Sequence, residues 1–325
     1  MFRTTRSLDF SNCPEPIQEA IEFLSPKRSP WELRRFGGSR DGAYLLPNCL
    51  ETIGACFSPG VRNSKAFEDE LLAKTGMRTH LMDFTSSPEE FSTALAPGLQ
   101  TFEKKWLAPQ SSSDDMSLED WIERYEPGAK TDLLLQMDIE GAEWAILSTV
   151  TPNTIQRFKV IVMELHKLND LMSSADAFES RASQAFSLLR ENFTVIHAHP
   201  NNCCGSSPSL FSSGFKVPRT LEITLVRTDV LQKALAGAPA IVPELPHALD
   251  IGRNVPGTPP IFLGRGWRSV PPQPRVVLRI VLQTLNYEVL WRWKKLMPAK
   301  LYLWLKRFFA AKVGDLPASR TFPSS

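Results

Sequence analysis

Two apolar runs in the middle of this chain end in groups that can move protons. In "QMDIEGAEWAIL", residues 136–147, the run Leu133-Leu134-Leu135 is followed at once by Asp138, Glu140 and Glu143. In "FKVIVMELH", residues 158–166, a second run ends in Glu164 and His166. A carboxylate or imidazole at such a place can act as a general base toward a hydroxyl or hold a divalent cation. The structural alternative for the first stretch is a strand that turns at Gly141 into a helix, whose N-terminal dipole attracts acids. The functional reading is a ligand site, because open α/β sheets bind ligands at the carboxyl ends of their strands. Candidate bases are Asp138, Glu140, His166, His197 and His199. His197 and His199 alternate onto one face of a strand, where a structural role is expected.

Those groups need elements to position them. Residues 1–30 form a helical lead-in, with Ile17, Ile21 and Leu24 at helical spacing ahead of Pro26. The stretch "TIGACFSPGV", residues 52–61, reads as a buried strand entering a tight turn at Pro59-Gly60. A helix follows, capped by Asn63 or Ser64, buried through Phe67, Leu71 and Leu72 and stopped by Gly76. The next strand, "RTHLMDFT", ends in Asp83. Strand, glycine turn, helix, strand and acid are the layout of a nucleotide-binding βαβ unit, in which the acid accepts hydrogen bonds from ribose hydroxyls. A further strand is expected within residues 98–107. Ser117 with Asp120 predicts a capping box for a helix through Tyr125, and another helix is expected over residues 178–191. The runs "TDLLLQMDI" and "FKVIVMELH" read as central parallel strands, buried on both faces. Two strands, "NFTVIHAHP" and "RTLEITLVR", then close the series without a crossover helix, residues 219–227 being the candidate for a reversed one.

Composition is that of an ordinary soluble globular protein, with 42% hydrophobic and 22% charged residues. Five cysteines without a CxxC spacing argue against a disulfide framework or a zinc ribbon. A zinc site from His197, His199, Cys203 and Cys204 is weighed against an ordinary loop, and the loop is preferred. The start, MFRTTRSLDF, has no apolar h-region, and no stretch reaches 18 apolar residues without a charge, so neither a secretory signal nor a spanning helix is expected. The net charge of +2 is unevenly divided: residues 270–325 carry +8 and the preceding residues −6. Nothing in the acidic body carries a nucleic-acid signature. In the tail, Val276, Val277, Ile280, Val281, Leu290, Trp293 and Leu296 fall on one helical stripe flanked by Arg279, Arg292 and Lys295. Leu301, Trp304, Leu305 and Phe308 follow beyond Pro298. A basic amphipathic helix rich in Trp and Phe is expected to lie on a membrane surface or to pack on protein. The expected location is cytoplasmic, with peripheral contact on the inner face of the membrane.

Five stretches, "RFGGSRDGAYLLP", "FSPGVRNSKAFEDELLAKTG…HLMDFT", "MDIEGAEWAIL", "VMELH" and "IHAHPNN…VPRTLEITLVR", resemble, in this order, the FkbM-type methyltransferase family over residues 34–227. The resemblance implies a class I methyltransferase fold: a Rossmann-like seven-stranded sheet with an antiparallel last strand, here followed by a helical tail. The domains are then 1–30, 31–269 and 270–325. It also implies S-adenosyl-L-methionine as methyl donor and O-methylation of a small-molecule or glycan acceptor at a sugar hydroxyl. Carried across residue by residue, Phe57, Ser58 and Gly60 belong to the first cofactor loop and Asp83 to the ribose contact. Asp115 takes the place of an adenine contact, and Asp138 and Glu140 lie near cofactor and acceptor. Asp138, His166 and Glu140 are the catalytic candidates. The chain departs from the family pattern at Ala43, where a second glycine is usual, and at the proline-bound turn Ser58-Pro59-Gly60. Two other readings are a divalent-metal-dependent hydrolase using Asp138, Glu140, Glu143 and His166, and a cofactor-binding protein of the same fold without turnover.

Overall fold

The apolar runs lie at the centre of a seven-stranded, mostly parallel sheet. Its strands are β1 (Ile53–Pro59), β2 (Arg78–Met82), β3 (Gln100–Glu103), β4 (Asp132–Met137), β5 (Phe158–Leu165), β6 (Phe193–Ser206) and β7 (Pro218–Arg227). The computed structural model describes residues 12–38, 41–128, 131–206, 215–250, 254–255, 258–264, 266–267, 274–288 and 297–305. The strand order is β3-β2-β1-β4-β5-β7-β6. From β3 to β5 every neighbouring pair is parallel, and β7 runs antiparallel to both β5 and β6.

Period-two alternation explains why the central strands lack polar positions. Leu133, Leu135 and Met137 of β4 join one core, together with Phe57 of β1 and Phe158, Ile161 and Met163 of β5. Leu134, Cys56, Val160 and Val162 point the other way into a second core. Helices α1 (Glu15–Leu24), α3 (Leu118–Tyr125) and α4 (Glu143–Leu147) place buried residues in the first core. Helix α2 (Ala66–Thr75) covers the second, alongside a hairpin of strands Leu33–Phe36 and Tyr44–Pro47. The result is three layers, and emptying one such fully buried leucine to alanine costs about 2–5 kcal/mol. Because Ile17, Ile21 and Leu24 of α1 share the first core, the lead-in helix is packed into the layered body.

Several boundaries differ from the sequence expectation. Lys65, not Asn63 or Ser64, occupies the N-cap of α2 and makes no side-chain cap, while Gly76 ends the helix at φ +72° as expected. Leu72 is half-buried. Residues 98–107 hold two strands, since β3 is followed by Trp106–Leu107, which pairs with Asp115–Met116 in a separate small sheet. Ser117 caps α3 by accepting from the Asp120 N–H at 3.1 Å, but the Asp120 carboxylate turns to the Ser111 hydroxyl, so the box is half formed. The helix expected over 178–191 is two, Ala175–Arg181 and Ser183–Asn192, broken at Ala182. The hairpin carries no sequence expectation: its strands are four residues each, with Gly37, Gly38 and Gly42 between them.

The tail helix over Pro274–Tyr287, α5, does not present its apolar residues on one stripe. Val276 is buried, whereas Val277 and Val281 are exposed with Leu278 and Leu285. The tail positions from 289 to 296 and from 306 onward lie outside the described residues. Among the described residues no helix is long and apolar enough to cross a membrane.

Candidate active site at the carboxyl edge of the sheet

Parallel strands β2, β1, β4 and β5 are consecutive neighbours, so their carboxyl ends present Asp83, Gly60, Asp138 and the Glu164/His166 pair along one edge. Gly60 follows β1 at φ +88°, a conformation that favours glycine. A Cβ there would lie 1.7 Å from the Asp138 carbonyl oxygen. The loop therefore passes against the end of β4, and its N–H donates to the Met82 carbonyl of β2 at 2.8 Å. Asp83 is buried and fixes the same loop: one carboxylate oxygen accepts from the Arg62 N–H at 2.7 Å. The other accepts from the N–H and hydroxyl of Thr85 at 2.7 and 2.6 Å. An ionised carboxylate offers about four acceptor sites, so three donors leave one for a ligand.

His166 is the hub of the second half of the site. Its Nδ1 lies 2.9 Å from the Glu143 carboxylate, which also accepts the N–H groups of Ile139 and Gly141, each at 3.2 Å. Trp144 Nε1 donates to the His166 carbonyl at 2.8 Å. This brace sets Nδ1 to donate to the Glu143 carboxylate and turns Nε2 toward the cleft. There Nε2 is 3.8 Å from an oxygen of Asp138 and 3.6 Å from oxygens of Glu140 and of Glu164. These separations are too long for hydrogen bonds, so three carboxylates surround a ring nitrogen that none of them occupies. Tyr44, reaching over from the hairpin, donates to the other Asp138 oxygen at 3.2 Å and meets the Gln136 amide at 3.4 Å. Glu140, at φ +58°, is exposed and pairs with Arg62 across the cleft.

The crowding of acids shifts these groups in a consistent direction. Burial, together with repulsion from Glu140 and Glu143, lifts Asp138 to about 6 against the opposing attraction of His166. Burial would lower His166, but the hydrogen bond and charge of Glu143, with Asp138 and Glu140 behind it, outweigh that and leave it raised. Glu164 is held well above the ordinary carboxyl range by burial and by Asp138, Glu222 and Asp41. Asp138, Glu164 and His166 thus each hold a proton more tightly than in water, and the crowd of acids favours an added positive charge.

Asp138, Glu140 and His166 are brought together as the sequence pattern implied. The side chains of Phe57 and Ser58 face the interior rather than the cleft. Phe57 is fully buried, edge-on to Trp121 and Phe158. The Ser58 hydroxyl lies 2.5 Å from the Gln136 side-chain oxygen and also contacts Glu68. Asp115 sits elsewhere, accepting from the Ser112 hydroxyl at 2.7 Å, in a cleft of about 430 Å³ that also exposes Lys105 and Arg124. Among the described residues its hydrogen bonds are local to this cleft and do not reach the Asp138 cluster. His197 and His199 are structural: both flank the buried Asp250, at 3.0 and 3.5 Å, and tie β6 to the segment ahead of Asn254. Cys203 and Cys204 touch each other, and among the described residues neither joins a three-ligand metal group.

Two contributors were missed. In sequence Glu143 reads as a helix-start acid or a metal ligand, not as the brace of His166, yet Glu143 shares a buried helical face with Ile146 and Leu147, and an acid on a buried face is the available signal. Tyr44 lay in the quoted glycine-rich stretch, and only the hairpin pairing brings it to Asp138.

No curated protein sequence matches the chain. Among solved structures, a Streptococcus thermophilus protein described as a "Putative hemolysin" aligns at 10% identity over 55% of this chain and 62% of its own, with a TM-score of 0.30. "A putative sam-dependent methyltransferase from Streptococcus mutans" aligns at 12% identity over 54% of this chain and 45% of its own, with a TM-score of 0.28. The chain spans less than two thirds of either structure. The family comparison is specific to the segment that builds the site: residues 45–191, from the hairpin through β5 and beyond, match the Methyltransferase FkbM domain.

Proposed function

We propose that the protein is an S-adenosylmethionine-dependent O-methyltransferase acting on a hydroxyl of a small-molecule or glycan acceptor, a sugar hydroxyl being the preferred case. The observation that carries the reading is the braced His166, with Nε2 turned toward Asp138, Glu140 and Glu164 at the carboxyl edge of the sheet, inside the matched FkbM segment. The strand order with β7 reversed supports the class I methyltransferase fold.

The residues fit the cofactor by charge and by shape. S-adenosylmethionine supplies an electrophilic methyl on a positively charged sulfur. Asp138, Glu140 and Glu164 create the negative field in which such a cation is stable, and Gly60 lets the loop lie directly against the end of β4 beside them. Asp83, at the end of β2, is placed for the ribose hydroxyls. A positive charge brought beside Asp138 and His166 lowers the affinity of both for protons. His166 then takes the acceptor's hydroxyl proton on Nε2, while Glu143 keeps the ring oriented and stabilises the imidazolium. Such proton transfer contributes roughly 10²–10⁴-fold to rate. Asp138, held by Tyr44, positions the reacting groups.

Asp138→Asn tests this. Transfer of a labelled methyl group to a glycan panel should be lost while circular dichroism stays that of the unmodified protein. Full activity in the variant refutes the assignment. A second reading, a divalent-metal hydrolase, is favoured by one observation: Asp138, Glu140 and His166 offer atoms within 4.8 Å of one another. Activity that a chelator removes and S-adenosylhomocysteine leaves untouched would select it.

A further inference from the structure

Helix α5 carries two apolar faces, and only one of them is used by the body. At 100° per residue, Val276, Ile280, Gln283 and Tyr287 lie within an arc of about 60°. Val276 and Gln283 are buried there, and Arg275 at its start is tied to Glu244 at 3.0 Å. On the opposite side Val277, Val281, Leu285 and Leu278 span an arc of about 100°, the width of a full apolar helix stripe. These four are 44–51% exposed. The stripe is therefore not what docks the helix, because docking is already accomplished by the other face. The next helical residues, beyond Pro298, again expose large apolar side chains, Leu301 at 45% and Leu303 at 52%.

Charge decides what such a surface fits. Helix α5 contains no acid, and residues 270–325 hold ten Lys/Arg against two acids, whereas the remainder of the chain is net −6. An apolar helix stripe inside a strongly basic segment has the composition of an interfacial membrane helix, and each basic residue near an anionic leaflet adds about 1 kcal/mol of attraction. A copy of the same basic segment would be repelled. We propose that the exposed Val277/Leu278/Val281/Leu285 face of α5 docks the protein on an anionic lipid surface. This inference is independent of the methyl-transfer reading.

The test is flotation of the full chain with vesicles of phosphatidylcholine containing phosphatidylglycerol, and with phosphatidylcholine alone. The unmodified protein is expected to float with the anionic vesicles and to be released by high salt. Replacing two exposed side chains, Val281→Glu with Leu285→Glu, should reduce the bound fraction about tenfold or more without changing the melting curve. If the unmodified protein stays in the soluble fraction at low salt, the proposal is overturned. It is equally overturned if the double variant floats as well, or if sedimentation shows a dimer that the double variant dissociates and that does not float. Single-site substitution Leu278→Glu repeats the test should the double variant misfold.

Discussion

Substituting Gly60 by alanine is the sharpest steric perturbation available at this site. The added Cβ would sit 1.7 Å from the Asp138 carbonyl oxygen and 2.7 Å from its carbon, whereas real Cβ atoms essentially never approach within 3.0 Å. The neighbour is backbone, so no rotamer change relieves the clash. The loop and the end of β4 must separate by about 1.3 Å, on top of a φ of +88° that costs an L-residue about 1–2 kcal/mol. That displacement acts on Asp138, Arg62 and, through Arg62, on Asp83, and a misplacement near 1 Å can lower a rate about 10²-fold. Calorimetric titration of Gly60→Ala with S-adenosylhomocysteine should show binding weakened at least tenfold, with a lowered melting temperature. Gly141→Ala is the internal control: its φ is also positive, but the added Cβ meets only the flexible end of Lys167 at 3.1 Å. It should lose stability and retain binding. Undiminished affinity in Gly60→Ala would refute the placement of the cofactor against this loop.

Glu143→Gln keeps an acceptor for His166 Nδ1 and removes the charge that raises His166. The acid limb of the pH–rate profile should therefore move to lower pH while the plateau falls on the order of tenfold; an unmoved limb would mean that His166 is not the titrating base. Glu68→Gln tests the buried acid beneath the loop, which burial lifts from 4.5 to about 7. Between those values the folded state binds more protons than the unfolded one. Stability should therefore fall as pH rises from about 4.5 to about 7, and the penalty, about 3 kcal/mol, is fully present above that. Denaturant titration should show Glu68→Gln gaining on the unmodified protein toward pH 8, and equal stability at both ends of that range would contradict it.

Much of this arrangement was legible in sequence because it rests on local pattern. Runs such as Leu133-Leu134-Leu135 are apolar at every position, as only strands covered on both faces are, and Gly76 ends α2 where it was read. Asp83, Asp138 and His166 stand out because each is the first residue beyond a strand read from such patterns. What escaped depends on contacts distant in sequence. Tyr44 reaches Asp138 only through the hairpin, and Ser58 turns inward because Glu68 and Gln136 offer it partners that no spacing announces. The stripe of α5 differs from the expectation because amphipathicity shows that an apolar face exists but not how many neighbours it has; Val276 and Val277, adjacent in sequence, are about 100° apart around the helix, one buried and the other exposed.

On the proposed function, the edge formed by Gly60, Asp83 and Asp138 binds S-adenosylmethionine, and calorimetric titration with S-adenosylhomocysteine tests this before any acceptor is known. The unmodified chain should bind at one site, and Asp83→Ala should weaken that binding by about 1.5–3 kcal/mol, the scale of a hydrogen bond to a charged group. No binding by the unmodified chain, or an unchanged dissociation constant in Asp83→Ala, would contradict it.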